Sequence, residues 1–189
     1  AGWHRSCSRE CNMLIDQHQQ KGVGLIEVLV ALLLLAIAVL GYVALQTKAI
    51  AASQESILKT QAQSVMKGLA ENIRTNNSSR HLYMNAVNHF LSSTTKPKDC
   101  GTSECTSAEL VNFDAYSAKQ YANTFGLKVG IAVCPGMKTD VTFIRQCIFV
   151  VWGDTVLAES NAVLDYSQCM SSSTGVYVEN AKCLMMEMY

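Results

Sequence analysis

The sequence has little that would make it an extended, repetitive or strongly charged protein. It has only two prolines in 189 residues, and it contains no internal repeat or low-complexity tract. Its 15 basic and 15 acidic side chains give a formal net charge of zero, so no long-range field attracts nucleic acid. These absences favour a compact α+β body, and the roughly 140 residues after the apolar N-terminal segment are enough to form one domain with a core.

Common enzyme and phosphate-binding motifs are also missing. The sequence contains no Gly-x-Ser-x-Gly, no His-Glu-x-x-His and no phosphate-binding loop. His81 and His89 lie eight residues apart in a predicted short helix, too far apart to be neighbouring metal ligands. The basic stretch Lys96–Lys98 has no interleaved aromatic residues, which gives little support for DNA binding. We therefore predict no catalytic residue, no metal, no cofactor and no direct nucleic-acid binding.

The most prominent feature that is present is a long apolar run, "VGLIEVLVALLLLAIAVLGYVAL", from Val23 to Leu45. From Val23 up to Lys48 the only charged residue is Glu27. As a helix the run would be roughly 35 Å long, enough to cross a hydrocarbon core of about 30 Å. A secretory signal with "AIA" at 49–51 as its cleavage site is one alternative, but its apolar centre would be shorter. A buried core helix would also be shorter, so a transmembrane segment at 23–45 is favoured.

The helical pattern continues beyond the apolar run. Apolar residues recur at steps of three or four and form one stripe, which consists of Leu58, Ala62, Val65, Leu69 and Ile73. No proline interrupts this segment, so we predict a single helix from about Val23 to Arg74 within a helical region 23–76. The cluster Asn76-Asn77-Ser78-Ser79 would end it. The stripe would pack on the chain's own globular domain, residues 77–189.

A second helix is predicted inside the globular domain. Thr106 and Glu109 fit a capping box, in which each residue satisfies a free backbone N–H at the start of a helix. The helix would end near Asn123, before Gly126. Its core side is predicted to carry Leu110, Phe113 and Tyr121.

Alternating apolar residues in the C-terminal part predict antiparallel strands. Leu127–Cys134 and Ile144–Gly153 would pair on either side of a turn region at 135–140. A last strand is predicted within residues 181–189, with methionines on both of its faces. The fold class predicted from these elements is α+β: a long N-terminal helix packed on a small antiparallel sheet domain with disulfides.

The cysteines divide unevenly along the chain. Cys7 and Cys11 precede the apolar run, and six follow it: Cys100, Cys105, Cys134, Cys147, Cys169 and Cys183. An even six predicts three disulfides in an oxidising compartment, which favours a periplasmic globular domain. Zinc binding at the close pair in "CGTSEC" is the alternative, but no second close pair accompanies it. Six cysteines allow 15 pairings, of which we favour the sequential one: Cys100–Cys105, Cys134–Cys147 and Cys169–Cys183.

The residues at the start of the apolar run resemble the processing site of type IV prepilins. Lys21-Gly22 followed by "VGLIEVLVAL" is similar to the end of a prepilin leader and the beginning of the mature helix. The resemblance implies that a membrane prepilin peptidase cuts after Gly22 and methylates the new N-terminus at Val23. Residues 1–22 would then be removed, and Met13 would start a leader of family length, "MLIDQHQQKG".

Later segments are similar to PilV-type minor pilins. "CTSAELVNFDAYSAKQYAN", "CIFVVWGD" and "CLMMEMY" resemble a helix after a cysteine, a strand ending in Trp-x-Asp and the final strand of that type. Two departures are Val23, where phenylalanine is commoner, and the absence of a proline near Ala44, where major pilins usually carry one. The resemblance implies a non-enzymatic structural subunit, a minor pilin that supports pilus biogenesis and initiation and thereby twitching motility or DNA uptake. A minor pseudopilin of a type II secretion system is the alternative.

The same resemblance implies partners, a location and a role for Glu27. The partners would be a prepilin peptidase/methylase, other minor and major pilins, the inner-membrane assembly platform, and membrane lipid before assembly. The chain would cross the bacterial inner membrane once, with its globular domain in the periplasm, and would later join the pilus fibre. Glu27 would pair with the terminal ammonium of Val23 in a neighbouring subunit. The alternative is a tolerated carboxylate held by the first N–H groups of the helix.

Overall fold

The computed structural model describes residue 22 and residues 24–137, 144–160 and 163–188. The predictions for residues 1–21, for Val23 and for part of the turn region 135–140 fall outside these residues. By its internal contacts the chain divides into an N-terminal unit, residues 1–48, and a globular unit, residues 49–189.

Helix α1 spans Leu25–Thr75, 51 residues, and confirms the prediction of a single long helix. The helix stops where the Asn-Asn-Ser-Ser cluster begins. The last helical hydrogen bond runs from the backbone N–H of Asn76 to the carbonyl of Asn72 at 3.0 Å. The predicted stripe is buried at four positions and half-buried at Leu58, and the structure adds Met66 to it. The buried residues are Ala62, Val65, Met66, Leu69 and Ile73.

A short 3₁₀ helix and a short α-helix follow α1. The 3₁₀ helix covers Asn77–Leu82 and contains a non-helical residue, Ser79, at φ −113° and ψ 17°. Helix α2 spans Tyr83–His89. The prediction that His81 and His89 share one helix is therefore wrong, because the chain changes from 3₁₀ to α geometry between them.

Helix α3 spans Ser107–Asn123 and begins with the predicted capping box. The Thr106 hydroxyl accepts the Glu109 backbone N–H at 3.3 Å, and the Glu109 carboxylate accepts the Thr106 backbone N–H at 2.8 Å. Both bonds satisfy donors that a helix start leaves free. The bond from the Thr106 N–H lowers the pKa of the Glu109 carboxyl, and further bonds from the Lys98 ammonium and the Thr106 hydroxyl lower it too, since each favours the charged form.

The prediction that Leu110, Phe113 and Tyr121 form the core side of α3 is wrong. The structure buries the neighbouring stripe, which consists of Val111, Ala115 and Ala122. Tyr121 instead is 47 % exposed, and its ring packs edge-on against Phe125 at 5.3 Å between centroids. Small residues on the buried side let α3 lie close to its neighbours, and larger ones fit at the margin of the contact.

The main sheet has three antiparallel strands. Strand β1 spans Lys128–Val133, β2 spans Gln146–Val151 and β5, the last strand in the chain, spans Cys183–Met188. Their order in the sheet is β1-β2-β5. The predicted pairing of the first two strands is confirmed, with Ile131 opposite Ile148. Two short strands, β3 (Ala158–Ser160) and β4 (Val163–Asp165), form a separate antiparallel pair.

The sheet has a hydrophobic core on each face, as the alternation of side chains along a strand requires. On one face, Ile131 and Ile148 belong to the core that also contains the buried stripes of α1 and α3. On the other face, Phe149 belongs to a second core, which also contains the four cysteines Cys134, Cys147, Cys169 and Cys183. The methionines of β5 contribute to both cores, as predicted: Met186 and Met188 to the first, Met185 to the second.

The β3–β4 pair packs closely over one glycine of β1. A Cβ at Gly130 would lie 2.7 Å from a methyl carbon of Leu164 and 3.3 Å from one of Leu157. Any larger residue at this position would push the pair away from the sheet. Through this close packing, Leu157 and Leu164 become part of the second core.

Three disulfides join the six cysteines of the globular unit in sequential order. They are Cys100–Cys105, Cys134–Cys147 and Cys169–Cys183. The second connects the chain just beyond β1 to β2, with its Cα atoms 5.0 Å apart. The third connects the segment after β4 to the first residue of β5. The fold class is therefore α+β with three disulfides, as predicted.

Candidate functional site

The chain just before α1 is open to other molecules. Gly22 is exposed, and a Cβ at this position would meet no atom within 4 Å. Gly24 begins the helix, because its carbonyl accepts the backbone N–H of Glu27 at 2.9 Å and that of Val28 at 3.3 Å. An exposed residue preceding a helix is a geometry that a peptidase can reach. Val23, the other predicted processing residue, lies outside the described residues.

Glu27 lies in the first turn of α1, and its side chain is exposed. The free N–H groups of a first turn and the helix dipole favour a negative charge there. Within the described residues, the ion pairs all involve other side chains, and the most N-terminal of them joins Glu55 to Lys59. Among the described residues, Glu27 therefore makes no ion pair.

The side chains that follow Glu27 form a continuous apolar surface. From Leu25 to Leu45 every side chain of α1 is exposed, and Leu40 and Leu45 are each 71 % exposed. The most apolar 18-residue window of the helix has a mean hydropathy of 3.0. Residues 25–45 extend over about 30 Å. Among the residues described, α1 is the helix that is long and apolar enough to cross a membrane, by length and composition.

The predicted assembly and disulfide residues belong to different units. Gly22 and Glu27 lie in the N-terminal unit, and the six paired cysteines lie in the globular unit. All six sulfur atoms are in disulfides, so none is a thiolate that could bind zinc or attack a substrate. Within the part of the chain that the structure describes, no cluster of three or more His, Cys, Asp or Glu could hold a metal ion.

A largely buried polar network, which no sequence pattern indicated, joins three helical segments. The Tyr83 hydroxyl donates a hydrogen bond to the Asp114 carboxylate at 2.6 Å. The Asn76 side-chain amide donates to the Ser107 carbonyl at 2.8 Å and lies 3.4 Å from the Tyr83 hydroxyl. In this way Asn76, just after α1, is bonded to the start of α3. Tyr83, at the start of α2, is bonded to the middle of α3. Asn76 therefore connects α1 to α3 in addition to ending α1.

Burial and the hydrogen bond act in opposite directions on Asp114. Burial raises the pKa of this carboxyl, and the bond from Tyr83 lowers it only in part. The pKa of Tyr83 is raised strongly, first by burial and then by its bond to Asp114. A carboxylate and a phenol with such shifts can mark a reactive site, but here the two groups bond to each other, and the Tyr83 hydroxyl also lies 3.3 Å from the Asn72 carbonyl. We assign the network to structure.

Two family models match the chain. The prokaryotic N-terminal methylation motif matches residues 17–43, and the type IV pilin Tt1218 family matches residues 44–116. The first match covers Gly22 and Glu27. The second covers all of the globular unit's part of α1, the whole of α2 and the first ten residues of α3. No curated protein and no solved structure matches the chain.

These matches confirm the resemblance to type IV pilins. Neither is specific for PilV-type minor pilins. A methylation motif of this kind implies processing by a prepilin peptidase and assembly with other pilins. The motif and the apolar helix together fit membrane anchoring and incorporation into a pilus.

Proposed function

Because the chain is type IV pilin-like, we propose that it is a minor pilin of the PilV type, an assembly subunit of a type IV pilus. It supports the initiation and biogenesis of the pilus, and through the pilus it supports twitching motility or DNA uptake. The inner-membrane assembly platform and the other minor and major pilins are its partners. Its role is structural, not enzymatic.

The observation that carries this proposal is the exposed carboxylate of Glu27 at the start of an exposed apolar helix. In lipid a lone carboxylate is unfavourable by several kcal/mol unless a cation neutralises it. Cleavage after Gly22 creates an ammonium on Val23, and methylation leaves that group cationic. Two parallel helices can then pair the Glu27 of one subunit with the Val23 ammonium of the next. The pair fixes the axial register of helices that would otherwise slide along each other.

The proposal also assigns the parts of the chain. Residues 1–22 are the segment removed by the peptidase, and 23–45 cross the inner membrane once before assembly. The remainder of the helical region, up to residue 76, and the domain 77–189 lie in the periplasm. The three disulfides support this orientation, because the periplasm is oxidising and the cytoplasm is not.

A direct test is the mass of the mature N-terminus in the native host. We expect a chain that begins with N-methylated Val23 and keeps α1. A native chain that retains residues upstream of Val23, or that lacks the apolar run, would overturn the proposal.

A deletion strain separates the two filament systems that use this N-terminal motif. Loss of surface pili and of twitching with normal protein export supports the minor pilin. Loss of export with normal piliation would assign the chain to the pseudopilus of a type II secretion system instead.

A further inference from the structure

Trp152 is held in place from the sheet side. It follows β2 directly and is only 3 % exposed, within the core that contains the buried stripe of α1. Its backbone N–H donates to the Lys182 carbonyl at 3.0 Å, one residue beyond the paired part of β2 and β5. The next residue, Gly153, has φ +63°, and a Cβ there would lie 2.8 Å from the Lys182 side chain. The turn therefore positions the backbone of Trp152 next to β5, and the core packs around its side chain.

The indole N–H of Trp152 donates to the Glu55 carboxylate at 3.3 Å. A buried Trp N–H needs an acceptor, since leaving it without one is costly. The other carboxylate oxygen of Glu55 lies 3.6 Å from the Lys59 ammonium. The Glu55 side chain is 36 % exposed, so it keeps part of its hydration while it accepts a charge-assisted bond.

Glu55 has a special position in the globular unit's part of α1. Residues 49–54 are all exposed, and Glu55 is the first residue of this part that is half-buried. Ile57 is exposed, and the next inward residues are Leu58 and Ala62. Among the described residues, the bond to Trp152 is the only side-chain hydrogen bond from 49–57 to another element. A helical segment without tertiary contacts is marginally stable and opens easily.

We propose that Glu55 is a positioning residue: its hydrogen bond to Trp152 attaches the first two turns of the globular unit's part of α1 to the sheet, and a subunit needs this attachment to enter a filament. The second part rests on the proposed function. A subunit in which residues 49–57 open presents a disordered segment to its neighbours at the start of its globular unit. Within the globular unit, the bond therefore sets where the ordered part of α1 begins.

Hydrogen exchange on the full chain in detergent micelles tests the attachment directly. In Glu55→Ala we expect amides of residues 53–61 to exchange about tenfold faster, with those of 65–75 unchanged. Trp152→Phe removes the same donor and should give the same local change. Glu55→Gln retains a carbonyl oxygen and should restore most of the protection. Glu71→Ala, which removes an exposed α1 carboxylate paired only with Arg74, is the matched control.

A double variant keeps the test valid if Trp152→Phe perturbs the core. When Glu55→Ala is added to Trp152→Phe, exchange at 53–61 should not accelerate further, because the bond is already absent. Wild-type exchange in Glu55→Ala, or full additivity in the double variant, would overturn the attachment.

The role in assembly has a separate readout. Glu55→Ala should reduce recovery of the subunit in sheared pili severalfold, and Glu55→Gln should rescue it. Faster exchange with normal recovery in pili would overturn that role. Failure of the proposed function would be recognised differently, since the wild-type chain itself would then be absent from pili while the exchange results still held.

Discussion

The side-chain amide of Asn88 pairs with both backbone groups of Ile131. Its Nδ2 donates to the Ile131 carbonyl at 2.8 Å, and its Oδ1 accepts the Ile131 N–H at 2.8 Å. Strand β1 is at the edge of the sheet, and Ile131 directs these groups away from β2. One buried side chain of α2 thus replaces a neighbouring strand at this point, which also protects the edge from pairing with another chain.

Replacing Asn88 by Ala should therefore be strongly destabilising. The change leaves a buried N–H and a buried carbonyl without partners, and we expect a loss of about 2–4 kcal/mol in the free energy of unfolding. Urea unfolding of the globular unit measures it. Asn112→Ala on the exposed side of α3, where the amide makes only a 3.4 Å bond to Ala108, is the control. Equal, small losses in both variants would show that the Ile131 pairing contributes little.

Tyr83→Phe tests the buried network and predicts a pH dependence. Burial raises the pKa of Asp114 above its ordinary value of 3.8, so the folded chain binds this proton more tightly than the unfolded chain. The stability that Asp114 contributes is thus fully present below that ordinary value and is lost as the pH rises through the folded-state pKa. Removing the Tyr83 hydroxyl raises that pKa further.

We therefore expect Tyr83→Phe to lose about 1–3 kcal/mol near pH 7 and less near pH 4, where Asp114 is more fully protonated. Urea unfolding at the two pH values measures the difference. A loss that does not change with pH would contradict the assignment to Asp114.

The disulfides should differ in their contribution to stability. In the chain-entropy treatment, Cys134–Cys147 closes a loop that corresponds to about 3 kcal/mol, and Cys100–Cys105 a shorter one that corresponds to about 2 kcal/mol. Cys134 and Cys147 are both buried in the second core, so replacing them with alanine also removes packing. We expect the Cys134→Ala/Cys147→Ala variant to unfold at clearly lower urea than Cys100→Ala/Cys105→Ala. The reverse order would contradict this ranking.

Gly22→Ala should block processing without disturbing the fold. The structure offers open space for the added methyl group, so any effect arises from the peptidase rather than from strain in the chain. We expect the unprocessed form to accumulate in the membrane, which immunoblotting and the mass of the N-terminus would show. Gly68→Ala, equally unhindered on α1, is the control and should be processed normally. Mature Val23 termini in Gly22→Ala would contradict the assigned cleavage site.

Glu27→Ala should leave membrane insertion and processing intact and should impair assembly. The removal of one partner from a buried ion pair typically costs about 3–5 kcal/mol, because the other charge is left alone. We expect recovery of this variant in sheared pili to fall below about a tenth of wild type. The exposed Glu71→Ala variant controls for loss of an acidic side chain on the same helix. Normal recovery of Glu27→Ala would mean that the carboxylate is merely tolerated near the helix start.

Local sequence was sufficient for α1, for the start of α3 and for the three strands of the main sheet, but not for the orientation of α3. The capping residues Thr106 and Glu109 act within one turn, so the start of α3 could be predicted from four residues. Its buried side could not, because Leu110 and Tyr121 are larger than Ala115 and Ala122, which the structure buries. The choice depends on how closely the helices approach, and residue size alone does not determine that distance.

Among the residues singled out for function, some could likewise be predicted from the sequence and one could not. Gly22 and Glu27 could be singled out because a glycine before an apolar run and a lone carboxylate within it are visible in the sequence itself. Glu55 could not, since an exposed-looking glutamate next to Lys59 has the pattern of an ordinary helical ion pair. Its acceptor role depends on Trp152, 97 residues later in the chain.

The amino-acid sequence by itself determined the long helix, the apolar exposed run with its single acid, and the presence of paired cysteines. Each of these depends on composition or on residues a few positions apart. Only the tertiary structure decided that Asn88 covers the edge of β1, that Tyr83 bonds Asp114, and which side of α3 is buried. Tyr83 and Asp114 are 31 positions apart in the chain, and Asn88 and Ile131 are 43 positions apart. These contacts form because hydrophobic packing brings distant polar groups together in a place where water cannot satisfy them.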